Sequence, residues 1–186
     1  MEALLRALHV AAEKHRLQKR KDGITPYINH PIAVAEVLCR VGGVSDTALL
    51  QAALLHDTVE DTQTTPDELK HHFGSEVAAL VGEVTDDKTL PKAERKRLQI
   101  ESAAKKSTRA KVLKLADLCC NLADLLENPP PDWPRERRQA YVTWCRQVAA
   151  GLRGSNPPLE AHLDRLIRRG ECFDTDTSSR LFAENT

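Results

Sequence analysis

The sequence predicts an all-α fold, built as a single compact helical domain, on three observations. Apolar residues recur at helical spacing through almost every segment. No pair of alternating runs joined by a tight turn suggests a hairpin. Proline and Ser/Thr/Asn cap signals divide the chain into helix-sized lengths. The 186 residues, 41% of them apolar, suffice for one domain with a buried core. Residues 1–170 are expected to form it, with 171–186 as a polar, flexible tail.

A first helix is expected over residues 3–15. Pro31 at a first-turn position opens a second, with Ile32, Val34, Ala35, Val37 and Leu38 on its buried side. Ser45 is expected to cap a third, rich in Ala and Leu through Leu55. Thr65-Pro66-Asp67-Glu68 reads as a capping box that starts another helix, and Ser75 as the cap of the next. Residues 85–91 are polar and turn-like, and a charged helix follows from Lys92. Thr108 is expected to cap the helix carrying Val112, Leu113, Leu115, Ala116, Leu122 and Leu125, which Asn128 and three prolines end. Pro134 and Asn156 start the last two.

Lys and Arg total 27, as do Asp and Glu, so no global field favours nucleic acid or an anionic membrane. The N-terminal stretch is broken by Glu2, Arg6, Glu13, Lys14 and His15, which excludes a signal-peptide reading, and no run of about 18 apolar residues occurs. The five cysteines form no C-x-x-C pair and read as reduced thiols of a cytoplasmic protein.

The chemistry is concentrated in His56-Asp57-Thr58-Val59-Glu60-Asp61, which follows the apolar run Ala52-Ala53-Leu54-Leu55. Four ionisable groups at the end of a buried helix are costly unless paired or bound to metal. If the helix continues, His56 shares a face with Glu60 and Asp57 with Asp61. His30, before Pro31, and Asp117, inside an apolar helix, are two further candidates. Two imidazoles and two carboxylates suit Mn²⁺, Fe²⁺ or Zn²⁺ with positions left open. Taken singly, His30 reads equally as a capping residue and Asp117 as a partner of Lys114. Arg20 and Lys21 read as a solvated helix end, Lys92 as one charge among many, and Tyr141 as a packing aromatic.

The blocks Thr25-Pro26-Tyr27-Ile28-Asn29-His30-Pro31, Gln51 to Asp61, Val84-Thr85-Asp86-Asp87-Lys88 and Lys114-Leu115-Ala116-Asp117 with Asn121 occur in this order. Together they resemble the HD-domain hydrolases of the guanosine tetraphosphate (alarmone) system. The likeness is strongest to the stand-alone small alarmone hydrolases, the family that includes the metazoan form. It implies an HD-type helical fold and Mn²⁺ on His30, His56, Asp57 and Asp117. It implies that Glu60 and Asp61 orient or deprotonate the attacking water, and that Arg20, Lys21, Lys92, Asn121 and Tyr141 touch the nucleotide. The implied activity is removal of the 3′-diphosphate of guanosine tetra- or pentaphosphate. No synthetase domain is expected, so the chain should only degrade. The alternatives are a 2′-phosphatase acting on NADPH and a non-catalytic nucleotide-binding module; the complete His-Asp set argues against the latter. Leu118 and Ala123 stand where relatives often carry basic residues, which points to altered phosphate binding.

Overall fold

The computed structural model describes residues 1–172; the tail expected from 171 onward thus lies, beyond Cys172, outside the described residues. The described residues form nine α-helices and no β-strand: α1 (Glu2–Lys14), α2 (Asn29–Arg40), α3 (Thr47–Leu55), α4 (Thr58–Asp61), α5 (Pro66–Val84), α6 (Lys92–Ala103), α7 (Thr108–Glu127), α8 (Arg135–Leu152) and α9 (Pro157–Glu171). The all-α expectation holds. None of these helices is long and apolar enough to cross a membrane.

Helix α7 is the axis of the bundle and packs against α2, α3, α5, α8 and α9. Its Leu113, Leu115, Leu118 and Leu122 are all at most 1% exposed. Each such side chain contributes about 1.5–3 kcal/mol by leaving water. Helix α3 is buried at seven consecutive positions, Leu49 to Leu55. A helix that is apolar all round must lie inside, so its C-terminal end delivers His56 and Asp57 into the interior.

Local chemistry decides the helix ends. Asp46, not Ser45, caps α3, its carboxylate accepting from the N–H groups of Ala48 and Leu49. Ser107, not Thr108, caps α7, accepting from Ala110. Thr65 and Asn156 cap α5 and α9 as expected. Helix α2 begins two residues before Pro31, so His30 already sits in its first turn. Gly74, at φ +87°, breaks α5 just before Ser75, a conformation that residues with a Cβ rarely adopt. The expected continuation of α3 through the His-Asp motif does not occur. The chain bends at His56 and Asp57, and the separate turn α4 carries Glu60 and Asp61.

Candidate active site

Three helices place four buried or nearly buried side chains around one point. His30 comes from the first turn of α2, His56 from the end of α3 and Asp117 from the middle of α7. One ligand atom from each lies within 4.8 Å of the others. His30 Nε2 is 3.2 Å from Asp117 Oδ1, and His56 Nε2 is 3.8 Å from it. Asp57 Oδ2 lies 3.2 Å from His56 Nε2 and 3.7 Å from His30 Nε2. The bend after α3 explains why two adjacent residues reach the same point.

This set fits a divalent cation. The His56 Nδ1 lies 2.7 Å from the Ala53 carbonyl, so it carries the proton and donates it there. That leaves Nε2, facing the two carboxylates, as the nitrogen that a cation would take in exchange for a proton, and it is buried without a hydrogen-bond partner. An imidazole oriented by a backbone carbonyl through its other nitrogen is the usual arrangement of a metal-binding histidine. Burial pushes the His30 pKa down, against the pull of Asp117. Burial also opposes charge on His56, but the negative charge of Asp57 outweighs it and raises its pKa to about 9. Burial disfavours ionised Asp57 and Asp117 too, yet His56 holds the first well below the usual carboxylate range, and Lys114 with His30 the second. Lys114 sits one turn before Asp117 and its Nζ lies 2.8 Å from Oδ2.

A second layer holds Glu60 and Asp61. The Tyr27 hydroxyl lies 2.7 Å from Asp57 Oδ2 and 3.0 Å from Asp61 Oδ2. One proton serves both carboxylates, so Tyr27 ties the His-Asp cluster to α4. Burial and the two carboxylates raise the Tyr27 pKa, which keeps the phenol protonated. Tyr27 itself stacks on the buried His15, whose Nδ1 meets Gln18, and Gln18 donates to the Asp61 carbonyl. Lys88 bridges Asp61 at 2.5 Å and Glu60 at 3.3 Å. Burial raises the Glu60 pKa, and the charges of Asp86 and Asp57 add to this against a hydrogen bond from the Asp86 N–H.

Four of the five residues expected at the nucleotide, Arg20, Lys21, Asn121 and Tyr141, line one cavity together with Asp124 and Trp133. Lys92, at the start of α6, is not part of that lining. It is still close enough to act on Lys21, whose pKa is lowered by desolvation and then by repulsion from Arg20, Lys92, Arg137 and Lys96. Arg20 and Lys21 belong to the loop between α1 and α2, not to a solvated helix end. The Arg20 side chain is only 14% exposed. It donates to Asp124 and to Asn121 Oδ1, and Asn121 in turn donates to Asp117 Oδ1. The cavity is thus wired to the His-Asp cluster. Tyr141 packs between Trp133 and Trp144, so its packing role is real, and its face carries the Lys96 ammonium. Leu118 is buried in the core. Ala123 lines a second cavity, of about 400 Å³ between α2, α7 and α9, which His30, Arg20 and Asp124 also line.

Sequence reasoning named no role for Tyr27, Lys88, Asp86 or Trp133. The signal was partly there. Tyr27, Asp86 and Lys88 stand inside the motif blocks quoted for the resemblance, and Lys114 has the helical spacing to meet Asp117. Nothing local pointed to Trp133 or to Arg95, which lies 3.7 Å from Glu60.

The HD domain family matches residues 7–154. The chain is 56% identical over 165 residues to the Xenopus tropicalis protein named guanosine-3′,5′-bis(diphosphate) 3′-pyrophosphohydrolase MESH1, covering 88% of this chain and 92% of that one. It is 51% identical over 166 residues to the Drosophila melanogaster protein of the same name, covering 89% and 93%. Among solved structures it superposes with a TM-score of 0.88 and 49% identity on the one titled "A metazoan ortholog of SpoT hydrolyzes ppGpp and plays a role in starvation responses", covering 91% of this chain and 96% of that one. A Listeria monocytogenes protein matches with a TM-score of 0.64 and 33% identity, covering 76% and 97%. With the family spanning most of its length and its His-Asp cluster folded as described, the chain belongs to the HD domain family and, within it, to the group of the MESH1 proteins.

Proposed function

We propose that this protein removes the 3′-diphosphate of guanosine tetraphosphate, acting as a metal-dependent guanosine-3′,5′-bis(diphosphate) 3′-pyrophosphohydrolase. The observation that carries the reading is the buried group of His30, His56 and Asp117, with Asp57 against both imidazoles, joined through Asn121 and Arg20 to a cation-rimmed cavity. Its identity to relatives bearing that name over nearly their whole length supports the substrate. In this reading His30, His56, Asp57 and Asp117 hold the ion, which we take to be Mn²⁺. When bound, it polarises a phosphoryl oxygen and lowers the pKa of a water.

The remaining work falls to this chain's own groups. Water attacks the phosphorus next to the ribose 3′ oxygen; the bond from that phosphorus to the 3′ oxygen breaks, the 3′ oxygen takes up a proton from solvent, and pyrophosphate and guanosine 5′-diphosphate are released. Glu60, whose pKa burial raises above the usual carboxylate range, takes the proton of the attacking water. Asp61, held by Tyr27 and Lys88, fixes the water's second hydrogen. Arg20, Lys21 and Lys92 supply charge for the phosphates, and Asn121 and Tyr141 line the place of the nucleoside. Residues 1–170 act as one hydrolase domain. The free thiols of Cys39, Cys119, Cys120 and Cys145 support a reducing cytoplasmic compartment.

Product analysis with guanosine tetraphosphate and NADPH side by side tests the reading. Release of pyrophosphate from the first substrate is the expected result. Turnover of NADPH with guanosine tetraphosphate left intact would replace it by the 2′-phosphatase.

A further inference from the structure

Helix α6 is charged along its length, yet Arg95 turns inward and its side chain is 21% exposed. Its Nη1 lies 3.7 Å from Glu60 Oε1 and 3.8 Å from Asp86 Oδ2. Gln99, one turn further along α6, donates from Nε2 to the same Asp86 oxygen at 2.5 Å. The Asp86 N–H donates to Glu60 Oε2 at 3.1 Å. Both oxygens of the Glu60 carboxylate are therefore met by one unit: a backbone N–H on one, a guanidinium on the other, with Gln99 steadying the residue between them. Lys88 stands nearer the same Glu60 oxygen, at 3.3 Å, but it is shared with Asp61 and its side chain is 46% exposed, so solvent screens it more than Arg95.

The platform under Arg95 is firm. Trp144 Nε1 donates to the Lys96 carbonyl, and α8 approaches the end of α6 so closely at Gly151 that a Cβ there would stand 2.7 Å from the Ala103 Cβ. The arrangement also has a cost. Arg95 Nε and Gln99 Oε1 are buried without a protein partner. Both residues line a cavity of about 140 Å³ with Ser102, Lys106 and Lys114, room enough for water to meet those atoms.

We propose that Arg95 is a positioning residue for the hydrolysis, aiming the Glu60 carboxylate at the attacking water directly by its charge and indirectly through Asp86. The proposal rests on the role given to Glu60 above. Arg95 does not line the cavity of Lys21 and Tyr141, so its loss should act on the rate and not on substrate affinity.

The test is a double-mutant cycle on guanosine tetraphosphate hydrolysis with Mn²⁺, using R95Q, E60Q and the double variant, with R95K as the conservative rescue. R95Q should lower kcat by about 10- to 100-fold, the range for a misplaced catalytic group. KM should stay within about twofold, bound Mn²⁺ should be unchanged, and R95K should recover most of the loss. In the E60Q background R95Q should cost less than about twofold. Q99L, which leaves Arg95 in place but frees Asp86, should lower kcat less than R95Q and likewise have no effect beside E60Q; it keeps the proposal testable if R95Q fails to fold. Equal losses in both backgrounds, or a raised KM with unchanged kcat, would overturn the positioning role and leave Glu60 untouched. E60Q at the wild-type rate would instead remove the role of Glu60 and this proposal with it.

Discussion

Stripping the protein of metal with a chelator and adding Mn²⁺ back at a series of pH values should release one proton per ion. The number follows from the four side chains. His56 is raised to about 9 by Asp57, so at pH 7 its imidazole is about 99% protonated in the stripped protein. It must lose that proton for Nε2 to bind a cation. His30 is shifted the other way by burial, is already neutral at pH 7, and contributes nothing. Asp57 and Asp117 are both held below the usual carboxylate range and are already ionised. The sign is therefore fixed: affinity weakens as pH falls below the His56 pKa, by about tenfold or 1.4 kcal/mol per unit. Between pH 8 and pH 6 the dissociation constant should rise by about 100-fold. Isothermal titration calorimetry in two buffers of different ionisation enthalpy counts the protons directly. Zero protons at pH 7, or an affinity flat from pH 6 to 8, would refute the reasoning. Two protons would show that His30 is charged as well.

Glu60→Gln should cut kcat by about 10²-fold or more while bound Mn²⁺, read by metal analysis, stays; loss of the metal would make Glu60 a ligand. Tyr27→Phe removes the hydroxyl shared by Asp57 and Asp61 and should lower kcat about tenfold with metal retained, whereas an unchanged kcat would show that Lys88 holds Asp61 unaided. Gly151→Ala puts a methyl 2.7 Å from the Ala103 Cβ and 2.9 Å from the Ala104 nitrogen, so urea unfolding should show a loss of about 1–3 kcal/mol.

Much of this was legible in the sequence, for reasons that differ by residue. The helices were legible because their apolar spacing and proline stops are local. Which of two neighbouring residues caps a helix is not local in that sense: Asp46 displaces Ser45 and Ser107 displaces Thr108 because backbone geometry chooses between side chains one position apart. The convergence of His30, His56, Asp57 and Asp117 was foreshadowed by ionisable groups inside apolar runs, which burial makes costly. The bend between α3 and α4 was not, since His56 and Asp57 both keep helical backbone angles while the helix ends. Arg20 read as solvent-exposed because its partners, Asn121 and Asp124, lie a hundred residues away. The same distance hid Trp133 beneath the Lys21 ammonium. The basic residues missing at positions 118 and 123 looked like lost phosphate contacts. The structure puts Leu118 in the core, where no phosphate contact could be lost, but Ala123 on a cavity that His30 and Arg20 also line.

The central claim is that the His30, His56, Asp57 and Asp117 cluster holds the ion with which guanosine tetraphosphate is opened at its 3′ side. Chromatographic product analysis of the chelated protein, before and after Mn²⁺ is restored and beside Asp57→Ala, tests it most directly. Guanosine 5′-diphosphate and pyrophosphate should form only with the metal restored and only in the protein that keeps Asp57. Full turnover in the chelated protein, or an Asp57→Ala variant that binds Mn²⁺ and hydrolyses normally, would contradict it.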